Sequence, residues 1–458
     1  MQKKYGHKKS KSSEVTDILY GSETTKALSN FTLSELKMPR AFISALAIIK
    51  SACAQANQEL GLLNAEKSAA IQLAAKEVVD GFHVDQFPVD VFQTGSGTST
   101  NMNINEVIVS IVERDSQHKV SLHPNDDVNM GQSSNDVIPS CIHLSAAILI
   151  SEELLPSLQH LCLTLEAKAD KHINTIKTGR THLMDAMPLS LAQEISGWSS
   201  QIRYVHEQLE NSLSSLLQLA IGGTAIGTGV NTHPEFSEIV TRILAQKTAL
   251  KFRPADNYFR AISAQDTAVH VSGILKTTAV SLSKVSNDIR WLSSGPLNGL
   301  NELQLPELQK GSSIMPGKVN PVIPEAVLMA CTQVIGNDTT ITLAGQSGNF
   351  QLNTMLPLIG HTLVQSIQLL STSSIALADK VIKNMQVNHS MINQNLAKNP
   401  ILATALNHLI GYDKSAEIAK KAYEEKRTVL DVAIELTDIS EAELSKLLDP
   451  KRLVGDQI

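Results

Sequence analysis

Three observations predict an all-α chain. Apolar residues fill 42% of the 458 positions but aromatics only 4%, so the core must be aliphatic, as suits helices packed on helices. Proline is absent between Pro188 and Pro234, between Pro254 and Pro296, and between Pro357 and Pro400. Within these windows apolar residues recur at spacings of three and four. One series is Ile195, Trp198, Ile202, Val205, Leu209, Leu213 and Leu216; another is Leu275, Leu282 and Ile289, interleaved with Val285 and Leu292. Sustained seven-residue spacing means near-parallel helices in a long bundle. The alternation that a half-buried strand needs never lasts.

The segments follow in order. Residues 1–14 carry Lys3, Lys4, Lys8, Lys9 and Lys11 ahead of Glu14, with no apolar h-region, and read as a disordered basic tail. The first segment, 1–131, is otherwise mixed helix and loop, with helical spacing at Phe42, Leu46 and Ile49 and at Ile71, Ala74 and Val78. Segment 132–390 is the long-helix bundle and includes a helix-compatible run from Glu325 to Leu356. The Gly-rich stretch Ile221–Gly229 lacks the preceding strand and the acidic ribose partner of a dinucleotide site, so it reads as a turn between helices. Asn399-Pro400 marks a boundary, and 391–458 reads as a small C-terminal helical domain.

A formal charge of −6 gives no ground for a nucleic-acid or anionic-membrane partner. No unbroken apolar run reaches the eighteen residues of a membrane span. Cys53, Cys141, Cys162 and Cys331 stand alone without C-x-x-C spacing and read as reduced, mostly buried thiols of a cytoplasmic protein. The scattered histidines show no metal-ligand spacing of the H-E-x-x-H kind, so neither a metal nor another cofactor is expected.

The chemistry centres on Gly311-Ser312-Ser313-Ile314-Met315-Pro316-Gly317-Lys318-Val319-Asn320-Pro321. Glycines and prolines together make it a loop, and Lys318 is a lone cation among Ile314, Met315 and Val319, which an ordinary solvated linker rarely carries. Three other polar passages occur, at Gln93–Asn101, His123–Asp127 and Gln132–Asp136. Ser96, Thr98, Ser133, Ser134, Asn135, Thr181 and Asn320 are neutral groups able to hold carboxylate oxygens, though Ser and Asn ahead of a helix also serve as plain N-caps. His182 precedes a long helix, and Glu325 opens the helix after the Lys318 loop, where an acid ordinarily serves the dipole.

The loop at 311–321 closely resembles the signature of the fumarase/aspartase superfamily, in its class II fumarase form. Passages at 93–105, 123–129, 132–136, 179–188 and 222–229, then 336–338 and 348–353, resemble the same family in its order, so the likeness runs from about Leu19 onward. It implies a three-domain fold with a central helix bundle that builds a homotetramer, motifs from different subunits completing each site. It also implies reversible hydration of fumarate to (S)-malate without a cofactor. The family's roles fall on matching positions: Ser312 as the base, Lys318 as a charge stabiliser, and His182, oriented by Glu325, activating water. Substrate binding falls on Ser96, Gly97, Thr98, Ser133, Ser134, Asn135, Thr181, Ser313, Lys318, Val319 and Asn320. His123, Pro124, Asn125 and Asp126 resemble a secondary dicarboxylate site.

Within the superfamily, His182, His123 and Gly317 favour fumarase over aspartate ammonia-lyase, the first alternative. An inactive helical scaffold is the second, and it predicts damage at Ser312, Lys318, His182 or Glu325, all of which are present. Departures from the family pattern are Tyr20-Gly21-Ser22-Glu23, Lys310, and Val120 ahead of the secondary site.

Overall fold

The computed structural model describes residues 18–114, 120–311 and 313–455; the expected basic tail lies outside the described residues. Helices carry the fold. The first part of the chain forms α1 (Ser22–Asn30), α2 (Arg40–Glu59), α3 (Ala65–Asp80), α4 (Thr98–Arg114), α5 (Ser134–Leu149) and α6 (Leu155–Ala169). A hairpin of β1 (Ile176–Thr181) and β2 (Met184–Ser190) then leads into α7 (Leu191–Leu216) and the two-residue strand β3 (Gln218–Leu219). Next come α8 (Phe236–Thr248), β4 (Arg253–Pro254), α9 (Tyr258–Ser263), α10 (Asp266–Leu292), β5 (Leu303–Gln304) and α11 (Val322–Gly345). A small hairpin, β6 (Gly348–Asn349) with β7 (Leu352–Asn353), precedes α12 (Leu356–Leu377). Strand β8 (Gln386–Val387) and α13 (His389–Ala397) follow, then the short helices α14 (Asn407–Ile410), α15 (Tyr412–Glu425), α16 (Val429–Leu436) and α17 (Glu441–Leu447).

These elements pack as two units that interleave along the chain, the first holding 1–145, 218–265 and 346–361 and the second the rest. The sequence divisions 1–131, 132–390 and 391–458 cut the chain by position and so do not coincide with these units. In the first unit α2 packs on α3 and α8, burying Phe42, Leu46, Ile49 and Ile71. In the second, α6, α7, α10 and α11 pack in succession as a long bundle. Its seams are the predicted ones: Ile195, Trp198, Ile202, Val205, Leu209 and Leu216 on α7, and Leu275, Leu282, Val285, Ile289 and Leu292 on α10, are buried. Ser190 and Gln193 start α7 with a reciprocal capping box, which satisfies two otherwise orphaned backbone N–H groups. The C-terminal helices close over a core of their own, built on Leu402, Leu406, Ile418, Val432 and Leu444. All four cysteines are free and buried.

Three expectations need correction. The run from Glu325 to Leu356 is not one helix; it breaks after Gly345 for the β6–β7 hairpin. His182 does not simply precede a helix; it sits in a β-hairpin that the apolar pattern missed. One stretch, Ser134–His172, is long and apolar enough to cross a membrane by length and composition, although polar residues interrupt every apolar run in it. Its most apolar window is 72% buried inside the protein, as in a core helix.

Candidate active site

Two helices of the first unit begin at the polar passages. The first residue of α4 is Thr98 and that of α5 is Ser134, and their hydroxyls lie 2.6 Å apart. Ser96 Oγ lies 2.7 Å from Thr98 Oγ1, and Gly97 makes the turn between them with φ +75°. A helix start carries N–H groups that lack an intrahelical partner and the positive end of its dipole. Two such starts converging behind a row of hydroxyls favour an anion.

The Ser133–Asn135 loop is held from beneath. Ser133 N donates to Asp136 Oδ1 at 2.9 Å, and Gly222 N and Thr224 N donate to Asp136 Oδ2 at 2.9 Å each. Asn135 Nδ2 donates to Ala225 O at 2.8 Å, and Asn135 N to Ser133 Oγ at 3.2 Å. One buried carboxylate therefore ties the loop to the Gly-rich turn. Burial pushes Asp136 up to about 6, against the pull of the N–H groups of Ser133, Thr224 and Gly222 and the charge of Lys50. Lys50, fully buried on α2, donates to Asn129 Oδ1 and Gln132 Oε1 at 2.9 Å each, and burial pushes its ammonium down to about 8. Nothing in the sequence reading named Asp136 or Lys50 as site residues. The signal for Lys50 was there: a lone cation after Ile48 and Ile49 and before Ala52 and Cys53.

His123 caps the single irregular turn Pro124–Val128, its Nδ1 accepting Asp126 N at 3.1 Å. His123, Asn125 and Asp126 are exposed and Pro124 is half-buried. Asp127 next to them is fixed by both of its oxygens to Lys67 Nζ, at 2.7 and 2.8 Å.

The second unit carries the rest. Thr181 pairs with Met184, so His182 and Leu183 are the two turn residues of the β1–β2 hairpin, with φ +54° and +62°. Both central residues of a tight hairpin turn need positive φ, which is why Asn-Gly is the usual choice. A bulky Leu in that region is an outlier, and such strain clusters at functional sites. Thr181 and His182 are exposed.

In the 311–321 loop Lys318 Nζ donates to Asn320 Oδ1 at 2.6 Å, and Asn320 Nδ2 donates to Gly311 O at 2.6 Å. Gly311 is required there, since a Cβ on it would lie 1.8 Å from Lys318 O. The loop thus closes on its own neck and leaves Ser313, Lys318 and Val319 exposed, with Ile314 83% exposed. Ser312 lies outside the described residues. Glu325 stands in the first turn of α11 with its carboxylate exposed, and no hydrogen bond or ion pair joins it to His182.

The structure therefore gathers Ser96, Gly97, Thr98, Ser133, Ser134 and Asn135 into one cradle, and Lys318 with Asn320 into one loop. Among the described residues no group of three or more His, Cys, Asp or Glu is arranged to hold a metal.

Comparison with known proteins places this arrangement among the helical lyases: residues 11–336 match the family model described as lyase, and residues 402–455 match that of the fumarase C C-terminus. Fumarate hydratase class II 2 of Pseudomonas aeruginosa is 54% identical over 95% of each chain. Fumarate hydratase class II of Xylella fastidiosa is 51% identical over 95% of this chain and 92% of its own. The crystal structure of recombinant class II fumarase from Schistosoma mansoni superposes with a TM-score of 0.91 at 38% identity, covering 95% of this chain and 96% of its own. The chain belongs to the class II fumarase (fumarate hydratase) family.

Proposed function

We propose that this protein is a fumarate hydratase, adding water reversibly across the double bond of fumarate to give (S)-malate. Family membership supports the reaction. The observation that carries the substrate class is the meeting of two helix starts at Thr98 and Ser134, 2.6 Å apart and lined with hydroxyls. Ser96, Gly97, Thr98 and Ser133 to Asn135 would receive one carboxylate, and Thr181, Ser313, Lys318, Val319 and Asn320 the other.

In the hydration direction a water oxygen bonds to one alkene carbon while His182 takes its proton, oriented by Glu325. The electron pair of the double bond moves to the other carbon and on to its carboxylate, giving an aci-carboxylate. Ser312 then donates its proton to that carbon; in dehydration the same oxygen removes it. General acid–base catalysis supplies only about 10²–10⁴-fold, so preorganised charge near the developing dianion must supply more. Lys318, whose ammonium keeps donors beyond its bond to Asn320, suits that task.

His182 and Glu325 are exposed and unjoined within one chain, which supports a site completed by assembly. Met329, Ile335 and Leu343 on α11 and Val280 on α10 leave large apolar side chains exposed on the bundle. We take this surface as the core of a homotetramer in the cytoplasm, acting on small dicarboxylates. His123 to Asp126 are proposed as a secondary dicarboxylate site outside the chemistry.

The test is the ultraviolet absorbance of fumarate mixed with pure enzyme. Its loss without ammonia, with malate formed, is the expected result; loss only with ammonia would make the protein an aspartate ammonia-lyase. Ser312→Ala is expected to abolish turnover with the tetramer intact, and near-normal activity would sink its assignment as base.

A further inference from the structure

Beneath the His182 hairpin lies a charge cluster that the scheme above does not use. Lys177 and Arg180 both sit on β1. Three residues of separation would normally place two side chains on opposite faces of a strand, but the register slips between Thr178 and Arg180. That bulge, at Gly179, returns Lys177 and Arg180 to one side, where both meet Glu302. Lys177 Nζ lies 2.7 Å from Glu302 Oε2 and 2.7 Å from Glu194 Oε2; Arg180 Nη2 lies 2.6 Å from Glu302 Oε1. The Lys177 and Glu302 side chains are only 1% and 2% exposed, and Arg180 is 14% exposed. Asp185, across the hairpin, stands 3.8 Å from Arg180 at the rim.

Glu302 is itself fixed on both sides. Its N–H donates to Leu292 O at the end of α10 at 2.8 Å, and its carbonyl accepts Asn388 N at 2.9 Å. The next residues form β5, paired with β8, and from β5 the chain runs directly into the 311–321 loop. One carboxylate thus faces both cations of the hairpin's first strand, one oxygen toward each.

We propose that Glu302 is a positioning residue that, through Lys177 and Arg180, fixes the His182 hairpin against the end of α10 and the β5–β8 pair. The inference rests on the catalytic role given above to His182. Arg180 Nη2 donates to Glu302 Oε1 and Lys177 Nζ to Glu194 Oε2, while Lys177 and Glu302 Oε2 form a close ion pair without hydrogen-bond geometry. Charge-assisted hydrogen bonds in a buried setting are short and directional, so they hold geometry better than apolar contact does. Without the Glu302 charge, two cations on one strand would face each other with only Glu194 to offset them, and the bulged strand would give way. A misplacement of about 1 Å between reacting groups costs on the order of 10²-fold in rate.

The experiment is steady-state fumarate hydration by the assembled full-length enzyme carrying Glu302→Gln, Arg180→Lys or His182→Asn. Arg180→Lys keeps the charge but loses the fork that reaches the carboxylate, and it guards against a Glu302→Gln protein that does not fold. Both clamp variants are expected to lose about 10- to 100-fold in kcat, with KM changing less than kcat because the 96–98 and 133–135 cradle is untouched and only Thr181 of the proposed binding residues rides on the hairpin. Wild-type kcat in Arg180→Lys and in folded Glu302→Gln, or a loss that only tracks the unfolded fraction, would overturn the clamp while a slow His182→Asn left the reaction scheme standing. Wild-type turnover by His182→Asn would remove the scheme and the clamp with it.

Discussion

The 96–98 and 133–135 cradle and the 311–321 loop are built in opposite ways. The loops at 96–98 and 133–135 are bonded to each other, and the second is bonded to a buried carboxylate beneath it, so their geometry is set before any ligand arrives. In the 311–321 loop Asn320 bonds back to Gly311, and the hairpin tip at His182 stands exposed. Preorganised donors cost no rearrangement when charge develops. A self-closed, exposed loop can instead move as a body and shut water out once substrate is bound. On the proposed roles, binding is built into the packing of one unit, while proton transfer falls to segments that are exposed within one chain.

That contrast breaks most visibly at Asp136. Asp136→Ala removes the acceptor of three backbone N–H groups, from Ser133, Gly222 and Thr224, inside a dry site. A loss of about 3 kcal/mol or more of stability is expected. In protein that still folds, KM for fumarate should rise at least tenfold, whereas His182→Asn should lower kcat and spare KM. Denaturant midpoints and steady-state kinetics measure both; a pure kcat effect in Asp136→Ala would erase the distinction between the regions. Next in size is Gly311→Ala, because its Cβ would strike Lys318 O and force the neck open. Turnover should fall by roughly 10- to 100-fold. Gly317, with φ +79° but nothing within 4 Å of a Cβ, should accept Ala for about 1–2 kcal/mol of strain and less than a tenfold loss.

The same two regions explain what the sequence could and could not tell. Long helices were legible because Ile195 to Leu216 and Leu275 to Leu292 repeat with the helix period over four turns or more. The β1–β2 hairpin was not, because the inward face of β1 carries Lys177 and Arg180 where a strand pattern would show apolar residues. Hydroxyls at 96–98 and 133–135 were legible because helix starts advertise themselves with Ser and Thr. The supports beneath them were not: Asp136 reads as one more polar residue in a polar passage. A lone cation among apolar residues was taken as a sign of function at Lys318, which proves exposed, yet the same sign at Lys50 marks a fully buried ammonium. Sequence shows that such a cation needs a partner, not whether the partner is substrate or protein.

Titration sharpens the cradle's side of the comparison. Burial raises Asp136 from 3.8 to about 6, so between those values the folded protein holds a proton that the unfolded chain has released. Its contribution is fully present below about pH 3.8 and lost as pH rises through 6, on the order of 3 kcal/mol in all. Lys50 runs the other way: lowered from 10.5 to about 8, it disfavours folding below pH 8, and that cost disappears as pH rises toward 10.5. Denaturant midpoints of wild type and Asp136→Asn should lie closest near pH 4, where both side chains are neutral, and the wild type should fall relative to the variant as pH rises toward 7. Parallel curves would mean that Asp136 does not change its charge in this range.

The smallest expected effect is at the hairpin tip, and its sign is informative. Leu183 holds φ +62° with its side chain 66% exposed. Glycine relieves the left-handed strain, worth about 1–2 kcal/mol, but adds freedom to the unfolded chain worth about 0.5–1 kcal/mol. Within one chain Leu183→Gly should therefore be neutral or stabilising by up to about 1 kcal/mol. If Leu183 instead packs against a second copy in the assembled enzyme, losing it removes apolar contact worth about 1.5–3 kcal/mol. The thermal midpoint would then fall, and the fall would deepen as protein concentration drops toward the dissociation range. An unchanged or raised midpoint at all concentrations would leave the tip free in the assembly, its strain serving the placement of His182 alone.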